Sequence, residues 1–463
     1  MKQIGSDWLS PVVVKELRQG MRGRVFESSF LVLQAAMMFA TIVGVMARAT
    51  TTDMSFVNGL FWTMNGVLLA GVMPLRGFSA IQSEAKAKTL ELVFLTRLTA
   101  WRITAGKWAA LNAQTFLLAS AILPYVILRY FLGGVNLLGD LTILGSLLAV
   151  SALLSAVTVG LSATESRLLR FAPVLVLFLG FNGVSVLLRA SGRSPWSGGS
   201  TTYWWMLALL GPVVLLYMLE FGAGRIAPLA ENHATPKRLL ALLAIGTIPL
   251  LALWQPTAAE EYAVLVLVFV TVVCIDALCE EPRTLPGLYT PFVKRGRWAE
   301  LTGLLLYPGW HSGVLFTLLT IPAATWLVVH LSGGKWEQDV LQLMCTLLAA
   351  LFWPLALTLL FVPRTRKPGL WYFGIQLVTV IITTFSIVAM TAIHTDAKDI
   401  LGFMPTAALL FLIAREGKDY WLLQTIFTGS VTLVIVVVKF LKPWRLTRAA
   451  AAQARAELAP PSS

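Results

Sequence analysis

The sequence predicts an all-α fold, a polytopic transmembrane helical bundle of about 12 spans. Three observations lead there. Of the 463 residues 57% are hydrophobic and only 13% charged, where a soluble domain carries about 25% charged residues. Mean hydropathy is +0.76. The apolar residues fall into runs near the ~20 residues that cross ~30 Å of hydrocarbon as a helix, with the charged residues gathered between them. Almost no sequence is left over for a soluble domain.

Residues 1–29 are polar and basic, with Lys15, Arg18, Arg22 and Arg24. Val12, Val13, Leu17 and Met21 can form one face of an interfacial helix that starts after Pro11. The first span is residues 30–47. Ala47-Arg48-Ala49 resembles a signal-peptidase site, but the apolar run is long for a signal core and a long polar segment precedes it, so an uncleaved span is the better reading. Further runs follow at roughly 56–75, 108–128, 141–163, 171–188 and 203–222, then at 239–254, 262–279, 312–331, 340–362, 370–393 and 420–441. A shorter apolar run, 400–414, contains Pro405 and precedes Arg415-Glu416-Gly417-Lys418-Asp419; it reads as interfacial or re-entrant. The tail 442–463 reads as a short helix that frays into disorder.

The charges orient this topology. With the N-terminus inside, the cytoplasmic segments hold 28 of the 36 Lys and Arg, and the other side holds eight. Such a split places both termini in the cytoplasm of a multi-pass cell (inner) membrane protein. The net charge of +13 is therefore cytoplasmic retention of Lys and Arg, not a nucleic-acid surface. Arg48, Arg129 and Arg189 can snorkel outward. Asn112, Gln114 and Asn182 can join helices by hydrogen bonds, and Asp276 reads as a residue at the membrane edge.

Chemistry-bearing motifs are sparse. Cys274, Cys279 and Cys345 form no CxxC pair and read as small core residues. His233, His311, His330 and His394 are too dispersed for a metal site. No GxxxxGK[ST] phosphate loop occurs. The expectation is no catalytic residue, no metal and no cofactor in this chain.

The stretch 84–107, EAKAKTLELVFLTRLTAWRITAGK, stands apart. Leu90, Val93, Phe94, Leu98 and Trp101 recur at helical spacing, with charge around them. It is too charged to cross a bilayer and reads as a helix or helix pair along the cytoplasmic face. It resembles the segment after the second span in permeases of the ATP-binding-cassette (ABC) transporters, type-2 exporter class. The elements that carry the likeness are Glu84, Thr89-Leu90-Glu91, Leu95-Thr96 and Gly106-Lys107. Lys88 and Arg97 depart from it, where that family usually has Gly and Pro. Ser10-Pro11-Val12-Val13-Val14-Lys15-Glu16-Leu17-Arg18 looks like the family's amphipathic elbow before the first span. The resemblance covers residues 8–120 and is weak beyond.

The resemblance implies a permease subunit driven by a separate ATP-binding-cassette ATPase, with Glu84, Thr89, Leu90, Glu91, Phe94, Leu98, Gly106 and Lys107 in the segment that docks that partner. It also admits a second permease copy or paralogue. Besides the ATPase, the expected partner is the lipid bilayer, and no nucleic acid. The spans can be grouped as a first six-span half in 1–222, a second in 223–441 and a cytoplasmic tail in 442–463. Each half has a basic lead-in and its longest interior cytoplasmic loop after its second span, 76–107 and 280–311. Two other classes remain open. A membrane-embedded lipid or glycan transferase would need carboxylates near the surface, and Asp276, Glu280 and Glu281 are the one such cluster. An ion-coupled carrier would need charge at mid-membrane, which is nearly absent.

Overall fold

The computed structural model describes residues 11–49, 54–86, 98–132, 136–164, 201–256, 259–331, 340–362, 368–392 and 420–458, and among these every regular element is a helix. Eleven helices are long and apolar enough to cross a membrane. They coincide with eleven of the twelve expected runs; the run 171–188 and the short run 400–414 lie outside the described residues. Rows of large apolar side chains are exposed along their outer faces, among them Leu31, Phe39, Phe116, Phe131, Ile381, Phe385, Val434 and Val438. In water such rows would be a liability; against lipid tails they are the ordinary surface of a spanning helix. The fold is a polytopic helical bundle.

The chain groups into two compact units, residues 1–165 with 214–228, and 166–213 with 229–463. In the first unit α1 (Pro11–Met21), α2 (Arg24–Ala49), α3 (Met54–Gly66), the short α4 (Gln82–Lys86), α5 (Ala100–Leu132) and α6 (Leu137–Ser162) come in order, and the second half of α7 (Thr201–Ile226) returns to this unit. Its core interleaves Leu33 and Met37 from α2, Phe61 from α3 and Leu118, Ile122 and Val126 from α5.

The second span is not one regular helix. After α3 it widens into a π-helical stretch, Val67–Val72, and then tightens through Met73–Leu75 into a 3-10 turn, Arg76–Ser79. Proline is the cause. In the wider pattern Met73 N–H donates to Leu68 O, five residues back. Pro74 has no N–H to give Leu69 O in the same way. Ser151 Oγ donates to that carbonyl instead, at 2.6 Å, and Thr158 Oγ1 donates to Pro74 O at 2.7 Å. Two hydroxyls of α6 thus satisfy carbonyls that a membrane interior could not leave bare. Close approach of α6 and α7 rests on glycine: a Cβ at Gly160 would lie 2.2 Å from Met218 O.

The second unit continues through α8 (Ala234–Trp254), α9 (Ala259–Leu278), α10 (Thr290–Lys294), α11 (Arg297–Leu306), α12 (Trp310–Leu331), α13 (Val340–Phe361), α14 (Pro368–Ala392) and α15 (Tyr420–Leu458). The closest pairing is α9 with α12, where a Cβ on Gly313 would stand 2.3 Å from Ala277 O; small residues let membrane helices meet backbone to backbone. Cys274 and Cys279 are buried and Cys345 half-buried, all as free thiols. The tail differs from expectation. Through Leu458 it is a continuation of the last spanning helix, and Ala450, Ala451 and Ala454 are buried against Leu288, Tyr289 and Tyr307. Small side chains let the helix lie close on two aromatic rings, and that packing replaces fraying.

Candidate functional site

The first site lies where α1, α4 and α5 meet. Helix α1 starts with Pro11, whose missing N–H costs nothing at a first turn, and it packs lengthwise on α5. Val13 is buried, and a Cβ on Gly106 would sit 3.0 Å from Val12 Cγ1, so glycine there sets how closely α1 can lie. Lys107, the next residue, is 3% exposed and reaches Glu16 at 2.9 Å and Glu84 at 3.1 Å. Glu84 also meets the exposed Lys15 at 3.5 Å. One buried ammonium thus joins α1, the end of the second span and the start of the third.

A polar contact one helix turn further along α1 adds to it. Arg76 donates to Gln114 Oε1 at 2.6 Å and to Gly20 O at 3.5 Å. Gln114 fills the space beside Gly20 that a Cβ would occupy. Gln114 therefore joins elements as expected, whereas Asn112 spends its amide on Trp108 O within its own helix.

Of the residues expected in the docking stretch, Glu84, Gly106 and Lys107 are brought together here. Leu98 is half-buried just ahead of α5. Thr89, Leu90, Glu91 and Phe94 lie outside the described residues. The stretch is not one element along its length. From Ala100 the chain is already in the third spanning helix, so Gly106 and Lys107 sit inside a span. Nothing breaks the helix between Ala100 and the apolar run at 108; of the two cations there, Arg102 is exposed and Lys107 is neutralised by its two carboxylates.

At the opposite end of this unit Arg129 is buried instead of snorkelling. It pairs with Asp140 at 3.4 Å, bonds Asn58 and lies 4.0 Å from the centre of the Phe61 ring. A carboxylate on the next helix and an aromatic face hold the guanidinium where water would otherwise be needed.

A second site, which sequence reasoning did not assemble, lies in the other unit. Lys237 of α8 pairs with Asp276 and with Glu280 Oε1, the latter at 2.8 Å. Arg238, 1% exposed, meets Glu280 Oε2 at 2.7 Å. It also donates to Leu305 O, Ser312 Oγ and Gly309 O at 2.7, 2.9 and 3.1 Å. Gly309 makes this possible: its φ of +131° belongs to glycine, and a Cβ would collide with the His311 ring at 2.7 Å. Burial alone would raise the Glu280 carboxyl, but the charges of Lys237 and Arg238 outweigh it and bring it down to about 2. The signal was present in the sequence, as opposite charges at the ends of consecutive apolar runs, but spacing alone could not pair them.

Beside this cluster lies the loop segment before α12. Tyr289 donates to Arg283 O at 2.5 Å, and Arg283 donates to Glu231 O at 2.7 Å. The Tyr289 and Tyr307 rings meet edge to face with centroids 4.6 Å apart. Burial, helped by Glu300 and Tyr289, pushes the Tyr307 hydroxyl up to about 12. Thr447 and His311, both buried, share a 2.8 Å hydrogen bond, and Arg455 pairs with Glu300. The last helix is thereby latched to this segment. No family model, curated protein or solved structure matches the chain.

Proposed function

We propose that this chain is the membrane-spanning permease subunit of an ABC-type exporter, driven by a separate ATPase. The observation that carries the reading is the convergence of Glu16, Glu84 and Lys107. These residues come from the elbow and from both flanks of the segment that resembles the family's docking element. Glu84 and Lys107 flank segment 87–97 in the chain, so a force passed through either flank would reach α1 and two spans. The basic segments between spans are then cytoplasmic, with both termini there, and ATP is hydrolysed only by the partner. The transferase alternative finds little support, because Asp276 and Glu280 are occupied by Lys237 and Arg238 rather than free to move protons.

The test is co-purification. Tagged chain extracted gently from its native membranes should bring down an ATPase bearing a phosphate loop. Phe94→Asp places an unpaired charge in the contact and should lose that partner while still inserting into the membrane. No ATPase with the unaltered chain, or full retention by Phe94→Asp, would refute the reading.

A further inference from the structure

We propose that α11 is an interfacial anchor that binds the anionic headgroups of the bilayer its own bundle crosses. Its inner face is used up. Gly303 lies under the Tyr307 ring, so close that a Cβ would fall 2.7 Å from it, and Glu300 holds Arg455. Its outer face is not. At 100° per residue Trp298, Leu301 and Leu305 fall within one narrow stripe; Trp298 is 83% exposed and Leu301 55%. Lys294 and Arg295 just before the helix and Arg297 at its first position are all exposed and without an ion pair among the described residues. Gly296, at φ +95°, turns the chain between the last two of these cations.

The level of the helix decides what covers that stripe. Leu306 O, at its end, accepts from Thr235 Oγ1 in the first turn of α8 at 2.9 Å. Only Tyr307, Pro308 and Gly309 separate it from α12. The helix is therefore pinned at the depth where two spans begin, which is the headgroup layer. A tryptophan-bearing apolar stripe beside three unneutralised cations has the composition of a helix that lies in that layer and favours acidic lipid. The stripe would sink among the upper acyl carbons, and the cations would reach phosphates. The inference does not depend on the transport reading.

The test uses the full chain in nanodiscs of phosphatidylcholine, or of an equal mixture of phosphatidylcholine and phosphatidylglycerol. Leu301→Cys carries an environment-sensitive fluorophore, and lipids with a nitroxide near the headgroup serve as quenchers. The expected result is strong quenching by these lipids, several-fold greater in the mixed discs and reduced by high salt. Lys294→Gln, Arg295→Gln and Arg297→Gln together should remove the phosphatidylglycerol preference and leave elution and thermal unfolding unchanged. Quenching by aqueous iodide with none from lipid would overturn the proposal. So would equal quenching in both disc types, or shielding that appears only when a soluble protein partner is added.

Discussion

The two ion clusters contain the same charges and hold different things. Each has two cations and two carboxylates; the first lies where α1 meets α4 and α5, and the second joins the start of α8 to the end of α9. In the first unit only Lys107 is deeply buried; its carboxylates are 22% and 15% exposed, and the fourth member, Lys15, is mostly in water. That cluster fastens α1, a helix that crosses nothing. In the second unit all four side chains are 14% exposed or less, and Arg238 also serves two backbone carbonyls and a hydroxyl. That cluster fastens the ends of spans to one another. Ion pairs open to water on one side contribute little net stability and can be exchanged or released. Pairs closed off from water cannot lose one member without stranding the other. The first cluster is thus suited to a joint that moves, and the second to a fixed brace.

The sharpest way to break this contrast is at the brace. Arg238→Ala leaves Glu280 with Lys237 as its one cation and removes a buried donor from Leu305 O and Gly309 O, and should cost about 3–5 kcal/mol. A thermal scan of the detergent-solubilised protein should show a large fall in midpoint; a change within error would mean the cluster is no brace. Acid should act on the same group. In the folded chain the charges of Lys237 and Arg238 hold the Glu280 carboxyl well below the ~4.3 of an unfolded chain, down to about 2. Its contribution is complete above the unfolded value, declines as pH falls through it, and is gone below the folded value. Unfolding midpoints measured down this range should drop, and Glu280→Gln should flatten the drop; an unchanged slope in that variant would assign the acid sensitivity elsewhere.

The joint should respond more locally. Lys107→Met leaves Glu16 and Glu84 facing each other, each with a side to water, and should cost about 1–3 kcal/mol. Hydrogen exchange should quicken across 11–21 while α5 and α6 stay protected. Loss of protection throughout the unit would make this cluster a brace as well. The smallest effect is expected at Arg455→Ala, because that arginine is 63% exposed; its pair with Glu300 should contribute less than about 0.5 kcal/mol. Ala454→Asp, at a fully buried position on the same helix, should by contrast detach the tail, read as faster proteolysis after Lys442.

The sequence determined the membrane, the helices and the apolar middle of each described span, though not where each helix begins: the third span starts at Ala100, ahead of its apolar run. Apolar runs near a bilayer's thickness admit no other backbone than one that bonds to itself, and eleven runs could be placed because hydropathy is a local property of the chain. Helix α1 was legible for the same reason, from Pro11 and the spacing of Val12, Val13 and Leu17. Which charges meet was decided only by the tertiary structure. Glu16, Glu84 and Lys107 lie far apart along the chain, as do Lys237, Asp276 and Glu280, and nothing in spacing ranks one partner over another until helix ends come level. Arg129 looked free to reach water until α6 brought Asp140 to it. The alanines of the tail had no pattern that demanded burial; they became core because the fold brings Leu288, Tyr289 and Tyr307 against that face of the helix.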